Sequence, residues 1–154
     1  MATVFDVARY ILSRQDQNAG DTISNMKLQK LVYYAQGFAL AITGKPLFQE
    51  VIEAWEHGPV APALYREYKQ YEAGAIPPPS ESTEQLAAPF DDNQLEILGE
   101  VCTVYGQYSA WKLRNFTHEE SPWLNRYKQP NNTITHADMR DYFSTCLVGD
   151  HDPN

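Results

Sequence analysis

The sequence predicts a mainly α, single multi-helix domain with a small β-hairpin between the second and third helices. Three observations predict it. Apolar residues recur at helical spacing in six separate segments, and the period changes in only one short stretch. The chain has 154 residues, a length that one core can hold together. Hydrophobic residues make up 43% and charged residues 21%, a globular balance rather than a disordered one.

Val4, Val7, Ala8, Ile11 and Leu12 give a short first helix with one apolar face, with Asn18 and Gly20 as terminators. Ser24 or Asn25 caps the second helix through its side-chain oxygen. Leu28, Leu31, Val32, Ala35, Phe38, Ala39 and Ile42 form its stripe, leaving Lys27, Lys30 and Tyr34 on another face. Gly44 and Pro46 stop it. Leu47-Phe48 and Val51 to Trp55 are partly β-branched and too short for a packed helix, so they read as the hairpin or as two extended arms. Gly58-Pro59 opens the third helix, because a proline in the first turn loses no hydrogen bond. Leu64, Tyr68 and Tyr71 share one side of it, with Arg66, Glu67 and Lys69 facing water.

Residues 73–90 hold Pro77-Pro78-Pro79 and a polar run, and read as an extended surface loop within one domain of residues 1–148. Asp91 or Asp92 caps a fourth helix, apolar nearly all round and therefore expected at the centre. Ser109 caps a fifth, carrying Trp111, Leu113 and Phe116, before an irregular stretch to Asn132. Thr135 with Asp138 reads as a capping box, and Met139, Tyr142, Phe143 and Cys146 as the buried stripe of the last helix. Residues 149–154 read as a flexible tail.

A formal net charge of −8 disfavours a phosphate backbone as partner and suits a basic protein, or simply keeps the chain soluble. Two cysteines, Cys102 and Cys146, match neither zinc spacing nor a disulfide scaffold and read as core thiols of a reducing compartment. No basic cluster and apolar run opens the chain, and no stretch is long enough to span a bilayer, so a cytoplasmic location is expected.

Glu56-His57-Gly58-Pro59 could supply a general base, but it also supplies what a tight strand-to-helix junction needs, and one histidine makes no catalytic constellation. In Thr117-His118-Glu119-Glu120-Ser121-Pro122-Trp123, adjacent helical residues point about 100° apart and cannot converge on one ion. A capped turn with Trp123 pinned into the core explains it better. There is no nucleophile elbow and no phosphate-cradling loop. No catalytic residue, cofactor or metal ligand is therefore assigned. Tyr33 and Tyr34 cannot both face one interior. A tyrosine beside Lys27 and Lys30 suits either a protein contact or a half-buried position with its hydroxyl in water.

Together, three segments resemble the Panacea-domain antitoxin family, which includes SocA-like antitoxins and phage-associated GepA-like proteins. Met26 to Gly37, with Leu28, Gln29 and Tyr33, is similar to the family's second-helix signature. Trp55, His57, Gly58, Pro59 and Tyr65 fall in its central motif, and Thr117, His118, Pro122 and Trp123 in its late one. These motif residues are expected to be structural. The resemblance implies an antitoxin, not an enzyme, that neutralises a cognate toxin by direct binding. Exposed positions of the second and third helices, Lys27, Lys30, Tyr34, Arg66 and Lys69, are the expected contacts. Two alternatives remain: an adaptor delivering its partner to a host protease (or another phage-encoded host-directed module), and a metal-dependent hydrolase using His57 and His118.

Overall fold

The computed structural model describes residues 1–15 and 22–150, with side chains through 147. Among them are eight α-helices and one three-stranded antiparallel sheet. Helix α1 (Val4–Ser13) opens on a capping box between Thr3 and Asp6 and buries Val4, Val7, Ala8, Ile11 and Leu12. Its proposed terminators, Asn18 and Gly20, lie outside the described residues.

Helix α2 (Asn25–Thr43) starts at Ser24, whose hydroxyl accepts the Lys27 N–H, and ends on Gly44 at φ 76°. It is the central helix, packed against α1, α3, α5, α6, α8 and the sheet. Expecting residues 92–105 at the centre was wrong. Helix α5 (Asp92–Tyr105) buries only Ile97, Leu98 and Val101 and leaves Val104 42% exposed. Ile42, expected in the buried stripe, is 53% exposed because it lines an open groove between α2, α5 and α8. At the middle of α2, Gly37 faces α8 (His136–Asp150) so closely that a Cβ there would overlap the Phe143 ring. That contact sets how near the two helices come.

The hairpin lies after α2 as expected, but differs in two ways. Strand β1 (Ile52–Trp55) pairs with β2 (Gly58–Val60), so Pro59 is a strand residue rather than a helix opener. Strand β2 sits at the sheet edge, where a residue without an N–H loses least. The proline that opens α3 (Pro62–Tyr68) is Pro62. A third strand, β3 (Thr133–Ile134), pairs with β1 from across the chain. Two residues of ordinary composition gave no period to read. A short 3₁₀ turn, Lys69–Tyr71, continues α3.

Residues 73–90 are not simply extended. Ile76, Leu86 and Phe90 are buried, and the Ile76 N–H donates to the Ile23 carbonyl. Helix α4 (Thr83–Ala87) forms on a Ser82–Gln85 capping box, and Arg9 of α1 pairs with Glu81. Helix α6 (Ala110–Thr117) is capped by Ser109 as predicted, whereas α7 (Ser121–Leu124) occupies part of the stretch expected to be irregular. The Thr135–Asp138 capping box is formed, and positions 149 and 150 belong to α8. Residues 151–154 lie outside the described residues. Cys102 and Cys146 are half-buried and not joined in a disulfide. No described helix is long and apolar enough to cross a membrane.

Candidate functional site at the hairpin turn

Most polar residues of α2 point inward, and several hold another element. The Gln29 amide oxygen accepts the Ala61 N–H at 2.9 Å, fixing the entry to α3. Gln36, fully buried, accepts the Leu47 N–H at 2.7 Å and donates to the Phe48 carbonyl at 2.8 Å. These bonds satisfy the backbone of a segment that belongs to no helix or strand. Tyr33 and Tyr34 donate from their hydroxyls to the two oxygens of Glu120, at 2.9 and 2.8 Å. Both tyrosines avoid water although adjacent, because α8 covers one ring and α5 the other: Phe143 meets Tyr33 edge-on and Tyr105 stacks on Tyr34. Burial pushes the Glu120 carboxyl up to about 7, against the pull of the two hydroxyls, and pushes both tyrosines above their ordinary value.

The turn between β1 and β2 gathers the rest. Gly58 has φ 114°, a conformation that glycine adopts without cost. A Cβ there would meet Lys30 Cε at 2.5 Å and Thr117 Oγ1 at 2.8 Å. Lys30 Nζ donates to the Pro59 carbonyl at 3.3 Å, and burial followed by the nearby Arg114 charge lowers its pKa to about 7. His57 Nδ1 accepts from Arg114 Nε at 3.3 Å, while the guanidinium lies 4.3 Å from the Trp111 ring centre. On the other side, Trp123 donates its indole N–H to the Trp55 carbonyl at 2.7 Å, and His118 stacks flat on Trp123 at 3.9 Å. Burial, then Arg114, holds His118 below its ordinary pKa. A cavity of about 500 Å³ opens beside the turn, lined among others by Met26, Lys30, Trp55, His57, Tyr65 and Trp111. A larger groove of about 710 Å³ between α2, α5 and α8 is lined by none of the motif residues.

Of the expected contact residues, Arg66 and Lys69 are exposed, and Lys69 reaches the cavity rim. Lys27, Lys30 and Tyr34 are not exposed: they retain 8%, 1% and 0% of their surface. Helix α2 is enclosed on every side, so its long polar side chains end on internal acceptors, Lys27 Nζ on the Gly106 carbonyl at 2.6 Å. Sequence reasoning placed His57 in a strand-to-helix junction, but it stands in a strand-to-strand turn. It also missed Glu120 as the acceptor for both tyrosines, and Trp111 and Arg114 as a surface pair. The spacing of Trp111 and Arg114, three apart on a helix, was the available signal. His57 and His118 do approach the same turn. Arg114 and the single carboxylate of Glu56 flank His57, and no group of three His, Cys, Asp or Glu side chains suited to a metal occurs among the described residues.

Polar side chains of α2 thus act as internal clamps, while aromatic ones surround an open cavity beside the hairpin turn. The chain belongs to the family described as Antitoxin SocA-like, Panacea domain, whose model matches residues 28–124, more than half of its length. It is also similar to Antitoxin SocA of Caulobacter vibrioides (strain NA1000 / CB15N), 52% identical over 44 residues. That match covers 29% of this chain and 23% of that protein, so the chain matches about a quarter of its curated relative's length. No solved structure matches. The family read from the three motifs is thereby shown, and it supports an antitoxin role.

Proposed function

We propose that the protein is an antitoxin that neutralises a cognate toxin by binding it directly, and that it does so in the cytoplasm through the face around the hairpin-turn cavity. One observation carries the choice of face. Trp111 is 57% exposed, yet its ring is held in place by the Arg114 guanidinium and lies beside His57. A rigid aromatic at a cavity mouth loses little side-chain entropy on docking and contributes a large contact area. Tyr65 lines the same cavity, and Arg66 and Lys69 supply a charged rim. Family membership supports the antitoxin role, while the partner and the contact are our reading.

Co-expression with the toxin gene beside its own tests the proposal. Wild type rescues growth and co-purifies with the toxin, and Trp111→Ala weakens both while leaving the fold intact by circular dichroism. Rescue by Trp111→Ala at wild-type dose removes the docking face. Rescue without any complex removes direct binding. A toxin half-life shortened by the wild-type chain would favour delivery to a protease over occlusion.

A further inference from the structure

The cavity has an electrostatic peculiarity. Three basic side chains from two helices, α2 and the end of α6, close on the Glu56–Pro59 turn, which carries His57 itself. Lys30 rises from α2 onto the Pro59 carbonyl, Arg114 from α6 onto His57, and His118 follows Thr117, which touches the Gly58 position. Among the described residues, neither Lys30 nor Arg114 has a carboxylate within ion-pair distance. Lys30 is 1% exposed and makes one hydrogen bond of 3.3 Å, leaving two of its three donors unused. His118 Nε2 is buried and makes no hydrogen bond among the described residues. Buried polar groups left in this condition are uncommon and call for a physical cause. In a chain of net charge −8, such a local excess of positive charge stands out further.

We infer that this cavity is a carboxylate-binding site, which takes an acidic side chain or a chain-terminal carboxylate of the partner protein onto Lys30 and His57, with Arg114 and His118 behind them. The inference rests on the docking face proposed above and gives its chemistry. The anion supplies acceptors for the unused Lys30 donors, and its charge favours the protonated forms of Lys30 and His118. Trp55, Tyr65, Val60 and Trp111 wall the same space, so the ligand presents its carboxylate on an apolar stem. These walls, and the acidity of the whole chain, favour a singly charged carboxylate over a phosphate. Glu56, on the rim, lies 3.4 Å from His57 Nε2 and is largely exposed, so it can swing aside. Lys69 and Glu72 on the rim oppose each other in sign.

Small anions test this on the isolated protein, without the toxin. Acetate and inorganic phosphate are titrated in separate arms at constant ionic strength, and the imidazole resonances of His57 and His118 and the Trp111 indole N–H are followed by NMR. Acetate is expected to give a saturable response, to raise the titration midpoint of His118, and to act more strongly than phosphate. Lys30→Met should weaken the acetate response by about tenfold, the size of one charge-assisted hydrogen bond. If that variant melts before the titration can be run, Arg114→Gln replaces it with the same expectation. An unsaturable acetate response, a stronger response to phosphate, or an unchanged response in the folded variant overturns the assignment. Loss of rescue by Trp111→Ala would then still stand, so the docking face and its chemistry fail separately.

Discussion

Replacing Glu120 by Gln should remove a defined slope from the pH dependence of stability. In the folded protein, burial raises this carboxyl from its ordinary 4.5 to about 7, although two tyrosyl hydroxyls donate to it. The folded state therefore binds the proton more tightly than the unfolded chain does. The stabilisation is complete below about pH 4.5 and is lost as pH rises through about 7. At about 1.4 kcal/mol per tenfold in proton affinity, the gap between 4.5 and about 7 is worth about 3 kcal/mol. Urea unfolding of wild type and Glu120→Gln across this window isolates the contribution, because every other carboxylate is common to both. Glutamine cannot accept both tyrosyl protons, so the variant also carries a pH-independent loss of about 1–3 kcal/mol. Wild type should lose about 3 kcal/mol more than the variant between the two ends. Parallel curves would show that Glu120 titrates as an exposed carboxylate and would refute the buried clamp.

Lys30 gives the opposite limb: its pKa falls from 10.5 to about 7, so its stabilisation is present above 10.5 and lost as pH falls through about 7. Lys30→Met should flatten the rise above neutrality in the same unfolding series. Gly37→Ala places a methyl into the Phe143 ring; overpacking costs about 1–3 kcal/mol, offset by up to about 1 kcal/mol of helix propensity, and thermal melts should show a net loss. Gln36→Leu keeps the volume but strands the Leu47 N–H and the Phe48 carbonyl, costing about 2–5 kcal/mol by urea unfolding. Gly58→Ala combines a left-handed backbone with the 2.5 Å approach to Lys30 Cε, and should shift the Lys30 resonances as well as lower the melting temperature.

The helices were legible because their signals are local. Ser24, Asp91, Ser109 and Thr135 all cap where their side chains suggested, and each apolar stripe marks a real element. Long-range pairing was not legible. Strand β3 meets β1 only after the chain has folded back, and Ile76 is buried because Ile23 and Gln15 take its backbone groups. The polar face of α2 misled for the same reason. A helix with Lys27, Gln29, Lys30 and Gln36 reads as amphipathic until its neighbours are known to surround it, and only then do these side chains become internal ties. The cavity at the hairpin turn combines both cases. Its motif residues could be picked out, but Trp111, Arg114 and Glu120 acquire their roles from partners distant in sequence.

The close seat of Phe143 on Gly37 has a bearing on biosynthesis. The ring that closes the back of α2 is translated only after positions 44–135, so a ribosome carrying α2 alone displays a helix whose tyrosines have nothing to lie against. Nascent chains must wait for their final helix before the aromatic layer shuts. A chain cut before α8 should therefore leave Tyr33 and Gly37 uncovered and be cleaved faster by added protease than the full chain.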